Sequence, residues 1–244
     1  MNSSLRFRLK AFGYHLSLSL LIALISLYLV FELWYVSPLA KAVGVTHVFI
    51  MMLVIDAILG PLLTLIIAKQ GKKSLKFDLA VIIILQLSAY MYGMYNIAHS
   101  RPVYIAFDTL RFEVVQANNI PKASLEAAIA PYNVLGWGSP KFVAVKPAET
   151  IAQKNNRLFV ELETGVAPTM QPDLYVPLKN QWSNINQKAQ SLNELYDNNS
   201  KSAVDDVLKQ YPNAMGWLPL IAYEQNMVVL IDNSSIIDIV DLRP

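Results

Sequence analysis

Apolar residues fall into two regimes along this chain. Up to about residue 99 they form three nearly continuous runs, covering roughly 14–35, 45–68 and 78–96. Each run is about 20 residues long, enough for one helix to cross a hydrocarbon core of about 30 Å with its backbone groups paired internally. Beyond residue 100 the runs shorten and alternate. "PVYIAF" and "RFEVVQA" read as strands around Asp108-Thr109, and "KFVAVKP" as another. "PLIAYEQNMVVLIDNSSIIDIVDL" reads as a three-stranded meander turning at Gln225-Asn226 and Asn233-Ser234. Short helices are predicted over "KASLEAAIA", "AETIAQKNNRLFVELE", "SLNELYDNN" and "SAVDDVLKQYP", the last capped by Ser202. The proline-containing stretch 168–187 reads as an ordered loop. The predicted architecture is three transmembrane α-helices within residues 1–99, followed by an α+β domain over 100–244 that is long enough for its own core.

Charge gives this layout an orientation. Residues 1–99 carry eight Lys/Arg against three Asp/Glu, a net +5, and residues 100–244 twelve against fifteen, a net −3. The basic excess belongs to the apolar half, so no nucleic-acid partner is expected. Cations cluster at Arg6, Arg8 and Lys10 and again at Lys69, Lys72, Lys73 and Lys76, whereas the loop after the first run has Lys41 alone. Positive flanks stay in the cytoplasm, which puts the amino terminus and "KQGKKSLK" inside and residues 100–244 outside. In a bacterium with two membranes this describes an inner-membrane protein with a periplasmic domain. Trp34, Tyr35, Tyr90, Tyr92 and Tyr95 occupy the outer ends of the runs, where aromatic rings favour the lipid–water interface. The first run is too long for a cleaved signal and no small-residue cleavage pattern follows it, so it reads as a retained helix.

The middle run contains one acid. Asp56 lies twelve residues before Ala68, so at about 1.5 Å per residue it stands roughly 18 Å from the cytoplasmic edge, near mid-membrane. A bare charge there costs at least about 3 kcal/mol, so the side chain is expected to be protonated, paired or turned into the bundle. Ser26 and Tyr90 fall at the same height on the flanking runs and are candidate hydrogen-bond partners. Gly60 shares the Asp56 face and admits a close neighbouring backbone, and Pro61 frees the carbonyl at position 57. Asp56 then reads either as a lock joining three helices, or as a proton relay or polar contact for another membrane helix. Glu32, near the outer boundary, reads as a solvated interfacial residue.

An inventory limits the chemistry. The chain has no Cys, and His15, His47 and His99 all lie in or beside the membrane. A Ser-His-Asp triad, a His-ligated zinc site and thiol chemistry are thereby excluded from the outer domain. No phosphate-binding glycine loop occurs, and Glu161 and Glu163, at i and i+2, point to different sides of a helix. No catalytic residue, cofactor or metal is expected, and the protein is not expected to be an enzyme. Trp137 in "NVLGWGSPK" and Trp217 in "NAMGWLP" are either exposed binding anchors or loop residues folded over the core.

Four stretches, "DAILGPLLTLII", "KKSLKFDLAVIIILQL", "HSRPVYIAFDTLRFEVV" and "MVVLIDNSSIIDIVDLRP", together resemble the TfpX/TfpZ family of type IV pilin accessory proteins. They run in family order over almost the whole chain. The sequence departs from the family pattern where Thr109 and Leu110 separate Asp108 from Arg111, and where Asn233-Ser234-Ser235 stands in the last turn in place of a glycine. The resemblance implies an inner-membrane protein that promotes assembly or surface display of the major type IV pilin, before or during its extraction into the fibre. The partners it implies are the major pilin, the lipid bilayer and, as a second protein partner, the pilus assembly platform. Asp56, Gly60, Pro61 and Tyr90 form the candidate face for a pilin membrane helix, and Trp137 and Trp217 the candidate contacts for its head. Two other readings stay open. A sensor would need a cytoplasmic output domain, and a proton-coupled transporter or membrane enzyme would have to work through Asp56.

Overall fold

The computed structural model describes residues 3–244. Three helices long and apolar enough to cross a membrane come first: Ser3–Trp34, Val45–Ile67 and Leu75–His99. The first consists of α1 (Ser3–Leu27) and wider π turns over Tyr28–Trp34. A short helix α2 (Leu39–Ala42) follows. The second span is α3 (Val45–Val54), a π turn over Ile55–Leu59 and α4 (Gly60–Ile67), and the third is α5 (Leu75–His99). The outer helices begin before their apolar runs do, taking in Arg6, Arg8 and Lys10 or Lys76, because Lys and Arg are good helix formers whose charged ends reach water. Leu24, Ile84 and Met91 are all more than 60% exposed on the three-span unit, a surface that lipid or another apolar helix must cover.

Residues 34–44 and 100–244 form a second compact unit. Its frame is one seven-stranded mixed sheet, ordered β4-β3-β1-β2-β5-β6-β7. The strands are β1 (Pro102–Asp108), β2 (Arg111–Gln116), β3 (Lys141–Val145), β4 (Tyr175–Val176), β5 (Gly216–Ile221), β6 (Met227–Ile231) and β7 (Ile236–Val240). The β1–β2 hairpin turns through Thr109, which takes a positive φ of 57°. The carboxyl-terminal meander of β5, β6 and β7 is antiparallel as expected. The two halves join by parallel pairing of β2 with β5.

The sheet is covered on both faces, which is why "MVVLI" of β6 is buried at every position. Ile105, Phe107, Phe112, Leu218, Leu220 and Val229 meet Leu39 and Ala42 of α2 and Ile185 of α8 (Trp182–Lys188) on one face. On the other face, Tyr104, Val143 and Tyr175 pack under Tyr132 and Leu135. Further along, Trp217, Leu230 and Val240 pack under α9 (Leu195–Asn198) and α10 (Lys201–Gln210). The remaining helices are α6 (Lys122–Ala127) and α7 (Ile151–Thr164). The N-cap of α10 is Ser200, whose hydroxyl accepts from the Ala203 amide; Ser202 lies inside the helix.

The segment 34–44 belongs with the sheet, although sequence reading assigned all of 1–99 to the membrane region. Leu39 and Ala42 are core residues, the Ala42 carbonyl accepts from the Glu224 and Gln225 amides, and Lys41 pairs with Asp241. This loop and residues 100–244 therefore share one folded body. Three successive crossings require the same, since they leave the first loop and the carboxyl terminus on a common side of the bilayer.

Candidate partner-binding site

The three-span unit contains a polar bracket built by side chains far apart in sequence. His15 on α1 meets the Thr64 hydroxyl of α4 at Nδ1 (2.6 Å) and the Gln86 Oε1 of α5 at Nε2 (3.0 Å). In the neutral ring the amide oxygen only accepts, so Nε2 carries the proton and Thr64 donates to Nδ1. Gln86 Nε2 donates to the main-chain carbonyl of Asp56 at 2.6 Å. That carbonyl has a local reason to need a donor. A π turn pairs carbonyl i with amide i+5, and for Asp56 the i+5 residue is Pro61, which has no N–H. Gln86 supplies the missing hydrogen bond from the neighbouring helix. The carbonyl expected to be freed by Pro61 was that at position 57; the π turn makes it that of Asp56. His15, Thr64 and Gln86 were not anticipated, although three polar residues inside apolar runs were the available signal.

Gly60 makes the bracket possible. It is buried with Pro61 and Thr64, and a Cβ built on it would collide with the Gln86 carboxamide. Gly60 and Pro61 thus serve contacts inside the bundle, which corrects their expected place on a face offered to a partner helix. Tyr90 is also spoken for: its hydroxyl shares a 2.6 Å hydrogen bond with Ser26, whose Oγ donates to the Ile22 carbonyl at 2.7 Å. The two candidate partners of Asp56 satisfy each other.

Asp56 is left apart. A cleft of about 370 Å³ opens between the spans, lined by His15, Asp56, Thr64, Gln86 and Tyr90 among leucine, isoleucine and alanine side chains. Asp56 Oδ2 is buried and has no hydrogen-bond partner among the described residues. Buried polar atoms are rarely left so, because the desolvation cost of about 1–3 kcal/mol is then uncompensated. The bracket ends on the Asp56 main chain and does not reach the carboxylate.

The second unit answers the two tryptophan expectations differently. Trp217 is 3% exposed within β5, with Nε1 donating to the Ser191 carbonyl at 2.9 Å. It is a core residue, which corrects its expected role as a surface anchor. Pro219 made that stretch look like a loop, but it fits the strand. Trp217 presents its amide to Gln190 on the edge away from β6, and Pro219 turns its missing amide to the same edge before β2 joins at Leu220. Trp137 is 64% exposed. Helix α7 went unnoticed as a surface. It is capped by Thr150 and stopped by Gly165 in the left-handed region, yet it buries no residue. Ile151, Leu158, Phe159 and Leu162 leave an apolar strip exposed along it.

Three comparisons bear on identity. A family described as fimbrial assembly protein FimB matches residues 3–44, the first span and the segment that enters the sheet. A fimbrial assembly protein of serogroup I from Dichelobacter nodosus is 29% identical over 247 residues, covering 97% of this chain and 95% of the relative. One of serogroups C1 and C2 from the same organism is 38% identical over 116 residues, covering 47% of this chain and 88% of the relative. The chain belongs to the fimbrial assembly protein family. The serogroup I match extends over both the spans and the sheet unit of this chain. No solved structure matches it.

Proposed function

We propose that the chain acts in fimbrial assembly as an inner-membrane accessory protein of the TfpX/TfpZ type, binding the major type IV fimbrial subunit before or during its extraction into the fibre. Its amino terminus and the lysine loop at 69–76 face the cytoplasm, and the sheet unit stands in the periplasm. It is a binding protein without turnover, and it needs no cofactor. One observation carries this reading: the buried Asp56 carboxyl oxygen with no donor of its own, set in a cleft between membrane helices. A subunit whose membrane helix carries a hydrogen-bond donor would complete it, since small and polar residues join helices where lipid offers no hydrophobic drive. Family membership with fimbrial assembly proteins of Dichelobacter nodosus supports the context. The exposed strip of α7 is the surface we assign to the aqueous part of the subunit.

The test is co-purification of the subunit with Asp56→Leu and Asp56→Asn variants. One interhelical hydrogen bond is worth about 1–2 kcal/mol, or roughly 5- to 30-fold in affinity. Asp56→Leu is therefore expected to reduce bound subunit and fibre number by that order, with Asp56→Asn between it and the parent. Unchanged co-purification with both variants contradicts the assignment.

A further inference from the structure

The fourteen residues from Ala127 to Pro140 contain no charged side chain. Tyr132 and Leu135 tie this loop to the sheet core, while Ile129, Val134 and Trp137 point away from it, 76%, 69% and 64% exposed. Single exposed apolar residues are ordinary; what distinguishes these is where the loop is clamped.

Two residues hold it, and both adjoin membrane spans. Trp34, the last residue of the first span, donates its indole N–H to the Trp137 carbonyl at 2.9 Å. Arg101, two residues beyond the end of the third span at His99, donates Nε and Nη2 to the Gly136 carbonyl at 3.1 and 2.7 Å. Its guanidinium carbon also lies 4.0 Å from the centre of the Trp137 ring. Two residues of chain reach at most about 7 Å, and the headgroup region is about 5–8 Å deep on each side of the hydrocarbon core. The first span gives the same depth, since residues 11–31 contain no Lys, Arg, Asp or Glu and at about 1.5 Å per residue fill roughly 30 Å. Trp34 therefore stands just beyond the hydrocarbon boundary. A loop bonded directly to Trp34 and Arg101 stays within that zone, where a tryptophan ring is most favourably placed.

We propose that residues 129–137 form a bilayer anchor, seating Ile129, Val134 and Trp137 among the lipid headgroups and upper acyl chains. The clamp sets the loop's depth, and the absence of charge removes the cost of desolvating one. Helix α7 supplies the contrast. Parallel pairing runs β3 alongside β1, so Lys146, whose carbonyl accepts from Arg157 of α7, lies at the opposite end of β1 from Arg101. Within this unit the loop and the Arg157 contact of α7 are thus held at opposite ends of β1.

The cysteine-free sequence makes the test direct. Full-length protein bearing a fluorophore at Val134→Cys, Ile129→Cys or, as reference, Ile151→Cys on α7 is reconstituted into phosphatidylcholine–phosphatidylglycerol vesicles. Labels at 134 and 129 are expected to be quenched by lipids carrying a nitroxide near the glycerol backbone, and to be several-fold less accessible to aqueous iodide than the label at 151. Equal iodide access at all three positions without lipid quenching overturns the proposal. Protection at 134 that appears only when fimbrial subunit is added overturns it too, and reassigns the loop to a protein partner.

Discussion

Gly60 is where one methyl group decides whether the three spans can share their polar residues. Alanine there would occupy the place of the Gln86 carboxamide, and moving Gln86 breaks its bonds to His15 and to the Asp56 carbonyl. Gly60→Ala should cost about 1–3 kcal/mol of bundle stability, the usual penalty for overfilling a packed site. Gln86→Ala removes the obstacle along with the bracket, so the double variant should cost less than the sum, with a coupling of roughly 0.5–3 kcal/mol. Unfolding of the full-length protein in detergent measures both; strictly additive losses would show that Gly60 and Gln86 do not meet. Little of this was legible in sequence. Asp56 and Pro61 stand out by type, but Gln86 lies 71 residues from His15, and no local pattern pairs them. The Asp232 turn is a similar case. Its carboxylate accepts from the Ser234 and Ser235 amides, bonds that hold it below the usual carboxylate range and close the last hairpin without a glycine.

At the scale of elements, periodicity did most of the work. The spans, the β1–β2 hairpin and the closing meander follow from apolar runs and turn residues, because each is a local decision about which face meets lipid, core or water. What escaped were elements whose fate depends on distant partners. Helix α2 has only four residues and no amphipathic signature, yet Leu39 and Ala42 fill the sheet core. Helix α7 was predicted as a helix, but its apolar strip is left uncovered among the described residues. Leu158→Glu and Leu162→Glu should accordingly leave stability within about 0.5 kcal/mol, as exposed substitutions do, while lowering co-purified subunit several-fold. A large loss of stability, or unaltered binding by a stable variant, would remove α7 from the interface.

As a whole molecule the chain combines two environments in one reading frame, a lipid-facing bundle with an unsatisfied carboxyl oxygen and a sheet unit that takes in the first extramembrane loop. The proposed function matches these two parts to a fimbrial subunit with one apolar helix and one aqueous head. The claim on which the account rests is that the cleft beside Asp56 receives the subunit's membrane helix. The most direct test is photocrosslinking in fibre-producing cells from Leu53, which lines the cleft, against Ile66, 65% exposed on α4 and outside the lining. The account predicts a covalent adduct with the fimbrial subunit from Leu53 and little from Ile66; no adduct from Leu53, or equal adducts from both positions, would contradict it.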